Sequence, residues 1–405
     1  PVEFDVAIAS EGIRAGKPEA IKYLQAGSDF FHQALNLEAS RWSKKTFTAY
    51  DGILAGPESL GHLKENHSIV DKSVGPTRLE TYASCPYRYY LGSILGLEAL
   101  VEPEREHTIN PLDRGSLVHS LLWRFFTKIR DSKNRIPFVI EPGDLPLLHE
   151  ALAETFADFE KRGVTGYPLM WEMEKTDIAM RMEELFDEEM AAGGGEARVY
   201  LPAYFEVRYG MESRGDDESD ISSEEPVHVT FGDRKIALRG KIDRIDLSPD
   251  LSHARVIDYK TGKGRPAYKP NDLMQGTSLQ LALYLKAAYE ILNRIHQEVS
   301  IDYAEYYCTS HTGKKRHIRF DYSELMAQRK ELTFILDTIA DGVEAGNFFA
   351  HPQSSCQYCD FLRICGGDAE REAVYARKAD DRRIKAFRKM QDMGKDKGED
   401  KATDD

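Results

Sequence analysis

The chain has 405 residues, of which 41% are hydrophobic and 30% charged, and a formal net charge of −14 at pH 7. That is enough apolar material for a sizeable core. No apolar run approaches the roughly 20 residues of a membrane helix, and Pro1-Val2-Glu3-Phe4-Asp5 has neither the basic start nor the apolar stretch of a signal peptide.

The charge imbalance is local. Residues 141–226 hold 23 Asp and Glu against 7 Lys and Arg, and the rest of the chain is close to neutral. Total charge therefore neither supports nor excludes a nucleic-acid partner. Five cysteines are too few for a disulfide scaffold, and their uneven placement points to a metal or cluster in a reducing, cytoplasmic compartment.

In chain order, residues 1–75 have mixed polarity and no long periodic stretch, and are expected to be a lead-in from an upstream domain. Thr77-Arg78-Leu79-Glu80 reads as a capping box, opening a helix that runs through Cys85 towards Leu95 with a bend at Pro86. A second helix, about Asp113–Arg130, places Leu117, Leu121, Leu122 and Phe125 on one apolar face. Residues 145–192 read as helical and acidic, stopped by Gly193-Gly194-Gly195. Strands are predicted at Tyr200–Tyr209, Val227–Phe231, Lys235–Asp246 and Ala254–Tyr259, with an acidic loop Glu212–Glu225 after the first. A strong helix, Ser278–Ile295, precedes two more strands, Ser300–Cys308 and Arg316–Asp321, joined by a turn through His311-Thr312-Gly313. Helices about Ser323–Ala345 and Ala369–Met390 follow, then a charged tail, Gly394–Asp405, with too few apolar residues to fold alone. The layout is mixed α/β, with the sheet made largely before a crossover helix.

The chemistry-bearing run is Gly240-Lys241-Ile242-Asp243, followed by Asp258-Tyr259-Lys260. The broken alternation around Ile242 and Ile245 predicts a bulge near Asp243. Asp258 and Lys260 share one strand face, and pairing of the two strands would set Asp243 beside Asp258. Two carboxylates and an ammonium at a sheet edge suit phosphodiester hydrolysis. The carboxylates hold Mg²⁺ (or Mn²⁺), the ion activates water and offsets phosphate charge, and the lysine positions the attacking water. Gly240 permits close backbone approach. An isolated Asp-x-Lys triplet is commonplace; the longer pattern is far rarer.

These motifs resemble the RecB-type branch of the PD-(D/E)XK nucleases. That resemblance implies a restriction-endonuclease-like core, a mixed central sheet flanked by helices, and it carries further positions. The family's Gln-x-x-x-Tyr motif is matched by Gln280 and Tyr284, which lie one helical turn apart and would orient DNA or the lysine. Its Gly-x-x-x-His motif is matched by Gly115-Ser116-Leu117-Val118-His119. The implied metal set is His119, Asp243, Asp258 and the backbone carbonyl of Tyr259. Glu206 is within conceivable reach of a second metal or the lysine, but a surface strand residue is its expected state.

Cys356, Cys359 and Cys365 form C-x2-C-x5-C, with Cys85 far upstream. Four thiolates suit a [4Fe–4S] cluster or a tetrahedral zinc, and spacing alone admits either. Leu79-Glu80-Thr81-Tyr82-Ala83-Ser84-Cys85-Pro86 together with that trio is similar to the iron–sulfur nuclease domain of AddB-type helicase–nucleases. This resemblance, over about residues 76–368, implies a [4Fe–4S] cluster on Cys85, Cys356, Cys359 and Cys365, stapling segments on either side of the nuclease core. It further implies a lead-in at 1–75 from a missing helicase-like region that would precede Pro1, a helical acidic insertion at 131–226, a basic helix and tail at 369–405, single-stranded DNA as substrate, a helicase partner and a role in double-strand-break repair. Cys308 is expected in the core. There is no Walker A motif, since Gly12-Ile13-Arg14-Ala15-Gly16-Lys17 runs into Pro18. Lys314, Lys315, Arg316, Arg377, Lys378, Arg382, Arg383 and Lys385 are candidate phosphate contacts. Two other readings compete: a free-standing nuclease, and a non-catalytic DNA-binding scaffold. The complete Asp/Asp/Lys/Gln/Tyr set argues against the second.

Overall fold

The computed structural model describes residues 22, 29–98, 107–192, 200–212, 219, 221–262, 269–296, 298–310 and 316–393. The predicted stop at Gly193–Gly195, the turn at His311–Gly313, Lys314 and Lys315, the tail Gly394–Asp405, and half of the acidic loop lie outside them. No helix among the described residues is long and apolar enough to cross a membrane. The chain divides into two compact units. One gathers Pro1–His67, Cys85–Ala99 and Asp341–Lys389, and the other Ser68–Ser84, Leu100–Ala340 and Met390–Asp405.

The larger unit is built on helices α1 (Pro76–Ser84), α2 (Pro111–Lys133), α3 (Leu145–Arg162) and α4 (Pro168–Ala192). Strands β1 (Leu201–Tyr209), β2 (Val227–Phe231), β3 (Arg234–Leu238), β4 (Gly240–Leu247) and β5 (His253–Lys260) come next. Helix α5 (Gln280–Leu292) then leads to β6 (Ser300–Cys308) and β7 (His317–Asp321). Among the described residues five strands form one sheet in the order β1-β4-β5-β6-β7, and β2 and β3 make a separate hairpin. All neighbours in the sheet are antiparallel except β5 and β6. That parallel pair is the one that requires a crossover, which α5 supplies.

Several predicted elements divide where the backbone breaks. The predicted α1 helix stops at Ser84 because Pro86 disfavours helical geometry in the residue before it, and Cys85 is extended at φ −153°. The acidic helix is two helices, since Gly163 (φ +71°) caps the first and Pro168 opens the second. The predicted strand Lys235–Asp246 is β3 and β4, which belong to different sheets. The helix predicted at Ser323–Ala345 breaks at Gln328, and that at Ala369–Met390 gives Asp368–Arg377 and Lys385–Asp392. The register shifts fall between Pro202 and Tyr204 of β1 and between Ala254 and Arg255 of β5, rather than at Asp243.

α2, α3 and α4 cover one sheet face. Leu117, Leu121, Leu122 and Phe125 of α2, all at most 1% exposed, pack in one cluster with Phe205, Ile257, Tyr259 and Tyr307 of the sheet. Strand alternation then turns Val256, Asp258 and Lys260 to the opposite face, the one α5 meets. A chain of charge runs through the sheet: fully buried Arg244 pairs with Asp246 (2.5 Å) and with Glu189 of α4 (2.6 Å), and Arg255 pairs with Asp246 (2.8 Å). Removing one member of such a set would strand the others uncompensated.

In the smaller unit, Phe47 sits 5.2 Å from Phe349 and Tyr90 stacks on Phe348 at 5.0 Å. Gly52, at φ +89°, passes so close to Phe348 that a Cβ would meet its carbonyl oxygen at 2.2 Å, so only glycine fits. Lys378, predicted as a phosphate contact, is instead wholly buried and bound to Asp51 at 2.7 Å. In the larger unit Arg316 is likewise 1% exposed and paired with Glu188 at 2.8 Å. Both charges are neutralised inside the protein. Cys308 lies in the core as expected, 3% exposed.

Candidate active site

The β4–β5 register pairs Arg244 with Ile257, which sets Asp243 opposite Asp258. There the ladder gives way to a side-chain bond: the Tyr259 N–H donates to Asp243 Oδ2 at 2.9 Å. The Tyr259 peptide therefore adjoins the first carboxylate, and its ring stands edge-on to His119, 6.1 Å between centroids. On the other side of β4, Val207 pairs with Ile242 and Phe205 with Arg244, so Glu206 falls opposite Asp243. Gly240 opens the strand, and a Cβ there would lie 2.7 Å from the Tyr209 hydroxyl oxygen. The close approach expected of this glycine is to a tyrosine ring.

α2 brings in His119, whose Nδ1 is 3.2 Å from Asp243 Oδ1. Its helix is tied to the end of β5 by Arg114, which donates to the Thr261 carbonyl at 2.6 Å and pairs with Glu174 at 2.5 Å. Lys260 Nζ lies 2.6 Å from Asp258 Oδ2. That oxygen is buried, so the Lys260 ammonium offsets a carboxylate shielded from water. Lys260 also sits 4.7 Å above the Tyr306 ring.

Gln280 joins these groups. Its Nε2 donates to Asp258 Oδ1 at 2.9 Å, and its Oε1 accepts from Lys260 Nζ at 2.9 Å. Tyr284, one turn on, is 2.9 Å from Gln280 Nε2 and donates to the Lys241 carbonyl at 2.8 Å. The α5 pair thus holds the β5 carboxylate and amine in one arrangement and pins them to β4.

Among the described residues, His119, Glu206 and Asp243 are the group whose ligand atoms all lie within 4.8 Å of one another. The structure thereby promotes Glu206, expected on the surface, and leaves Asp258 outside that tightest trio. Glu206 is 13% exposed in its side chain and paired with Lys241. It adopts φ +51°, a costly conformation for a non-glycine residue that concentrates at functional sites. No local sequence signal marks it; only the sheet register does.

Electrostatics show a site crowded with carboxylates. Burial, reinforced by the Asp243 charge and opposed by Lys260, pushes the Asp258 carboxyl up to about 6. Burial also raises Glu206. Burial disfavours charge on His119 and Asp243 too, but their mutual attraction outweighs it, lifting His119 to about 9 and holding Asp243 below the usual range. The histidine proton thus stands where a cation would be welcome. A hard divalent ion fits this donor set of carboxylate oxygens and one imidazole.

Sequence reasoning also missed Glu80. Thr77 lies inside α1, and Glu80 does not close a capping box; its Oε1 instead accepts from the backbone N–H groups of Leu279 and Gln280, at 2.7 and 2.8 Å. It caps the helix that carries Gln280. The signal was present, since Glu80 stands in the quoted Leu79–Pro86 string, but its partner lies 200 residues away.

In the smaller unit Cys85, Cys356, Cys359 and Cys365 line one cavity together with His351 and Arg371. The His351 N–H is 3.5 Å from Cys85 Sγ. Burial raises the Cys85 thiol and pushes Cys365 up to about 12.

The family model of the PD-(D/E)XK nuclease superfamily matches residues 73–366, most of the chain. The chain belongs to the PD-(D/E)XK nuclease superfamily. Its five-strand mixed sheet flanked by helices agrees with that superfamily's restriction-endonuclease-like core. Similar curated proteins are named as one of the subunits of an ATP-dependent helicase/deoxyribonuclease. The one from Carboxydothermus hydrogenoformans is 26% identical over 226 residues, 55% of this chain and 19% of the relative. The one from Lacticaseibacillus casei is 28% identical over 294 residues, 67% and 23%; that from Clostridium acetobutylicum is 27% identical over 223 residues, 53% and 17%. This PD-(D/E)XK chain therefore matches about a fifth of the length of these relatives.

Proposed function

We propose that this domain hydrolyses DNA phosphodiester bonds with Mg²⁺, as the nuclease part of an AddB-like protein that works beside a helicase in double-strand-break repair. One observation carries the reading: strand register and the Gln280 bridge converge Asp243, Asp258 and Lys260 beside His119 and Glu206. Asp243, Glu206 and His119 would hold the ion, with Asp258 and the Tyr259 carbonyl completing its surroundings. The ion, when bound, supplies charge neutralisation at the phosphate and a more acidic water. Lys260, fixed by Gln280 and by the Tyr306 ring, orients the attacking water and meets phosphate charge. Gln280 and Tyr284 keep Lys260 and Asp258 in register. The helicase pairing rests on the relatives' printed names. The test is end-labelled linear DNA, single- and double-stranded, with Mg²⁺, with and without a helicase partner. Shortened labelled products are expected; intact DNA in every arm would overturn the proposal.

We infer a [4Fe–4S] cluster at the four cysteines. Their convergence on one cavity supports a shared inorganic group there. The cluster would join Cys85 to a trio some 270 residues later, restricting the unfolded chain. Brown protein containing iron is expected, with the colour lost in Cys359→Ser. Colourless protein carrying zinc would reject the assignment.

A further inference from the structure

A groove leads away from the metal-ligand trio along α2. It is lined by His119 and Glu206 at one end and continues past Ser120 to Trp123 and Arg124, with Arg208 and Lys241 opposite. A second hollow shares Trp123 and Arg124 and ends at Glu154 and Asp158. Trp123, the aromatic residue common to both, stands one helical turn, about 6 Å of rise, beyond His119. Its ring is only partly buried, packed on one side against the α2–α4 core cluster and open to the groove on the other.

Charge along the groove is mixed. Beside the metal ligands stand Arg208 and Lys241, the latter paired with Glu206, and in the second hollow Arg124 is paired with Asp158 and Lys128 with Glu154 at 2.9 Å. With the scissile phosphate at the metal-ligand trio, the base of a neighbouring nucleotide falls over the Trp123 indole. Base–aromatic stacking needs a base that is not already stacked in a duplex.

We propose that Trp123 is a stacking platform for an unpaired base next to the scissile phosphate. The inference rests on the nuclease reading of the site and adds a base-contacting residue to it.

Equilibrium binding of short fluorescent strands to the full chain in EDTA tests it without relying on cleavage. Stacking contributes about 1–3 kcal/mol per base, so Trp123→Leu is expected to weaken single-strand binding by about 10- to 100-fold. Trp123→Phe should keep most of the affinity, and duplex binding should change little. A strand made wholly of abasic residues should bind wild type and Trp123→Leu equally, a readout that a merely structural role would not give. Thermal melts of the variants establish that they fold. Unchanged single-strand affinity in Trp123→Leu, or an equal loss for the base-bearing and abasic strands, would overturn the proposal. Trp123-dependent binding by a chain that never cuts DNA with Mg²⁺ would instead sink the nuclease reading and leave this one standing.

Discussion

The two candidate centres are built by opposite means. In the larger unit the acidic centre hangs on regular structure: β4 and β5 set Asp243 opposite Asp258, β1 adds Glu206, and α2 and α5 deliver His119 and Gln280. Its charges already compensate one another, His119 with Asp243 and Lys260 with Asp258. In the smaller unit the cysteines stand on irregular chain. Cys85 is an extended residue before a proline, Cys356 lies in a short 3₁₀ turn, and Cys365 precedes Gly366 at φ +83°. There the His351 N–H meets Cys85 Sγ at 3.5 Å. A centre made by a sheet is shaped by backbone pairing, while one made of short turns is shaped by loop contacts.

Single substitutions can sharpen that contrast. The largest effect is expected at the acidic centre: Lys260→Ala or Asp258→Asn should cut the cleavage rate by about 10³-fold or more with little change in melting temperature. A matching collapse of the melt would mean that the site is structural. Cys85→Ser or Cys356→Ser should do the reverse in part. Iron should be lost and the melting temperature should fall, because a ligand that closes a long loop contributes folding free energy. Iron analysis beside calorimetry checks this.

Glu80→Ala should lower kcat by roughly 10-fold, because the N-terminus of α5 loses a cap worth about 1 kcal/mol or more and Gln280 loses its fixed start. Unaltered kinetics in that variant would show that the cap only stabilises. The smallest effect is a pH dependence. Burial raises Glu80 from 4.5 to about 7, so the native state holds its proton more tightly than the unfolded chain. Its contribution to stability is complete below pH 4.5 and is lost as pH rises through about 7. Glu80→Gln keeps an acceptor without the charge, so it should gain on wild type across that window in denaturant melts.

Much of the acidic centre was legible because strand chemistry is local. Asp258 and Lys260 sit two apart, Gln280 and Tyr284 four apart, and those spacings fix a shared face. What was illegible depended on partners distant in sequence. Glu206 gains its place only through the β1–β4 register, Glu80 through a helix 200 residues away, and Trp123 through two hollows that meet at its ring. Gly240 adjoins Arg239, where one predicted strand divides between two sheets, but in sequence it reads as easing a close approach and not as a break. Gly163 and Pro168 were readable as a helix break, yet the continuous acidic composition masked them. Lys378 and Arg316 misled for a related reason: a basic side chain looks solvated until its buried carboxylate partner is found.

The cleavage rate of end-labelled DNA by wild type and Asp243→Asn, each with and without Mg²⁺ and each paired with a thermal melt, tests the account most directly. The account predicts cutting by wild type only when the ion is present, and a folded but inert variant. Equal rates for the two proteins, or cutting by wild type in EDTA, would contradict it.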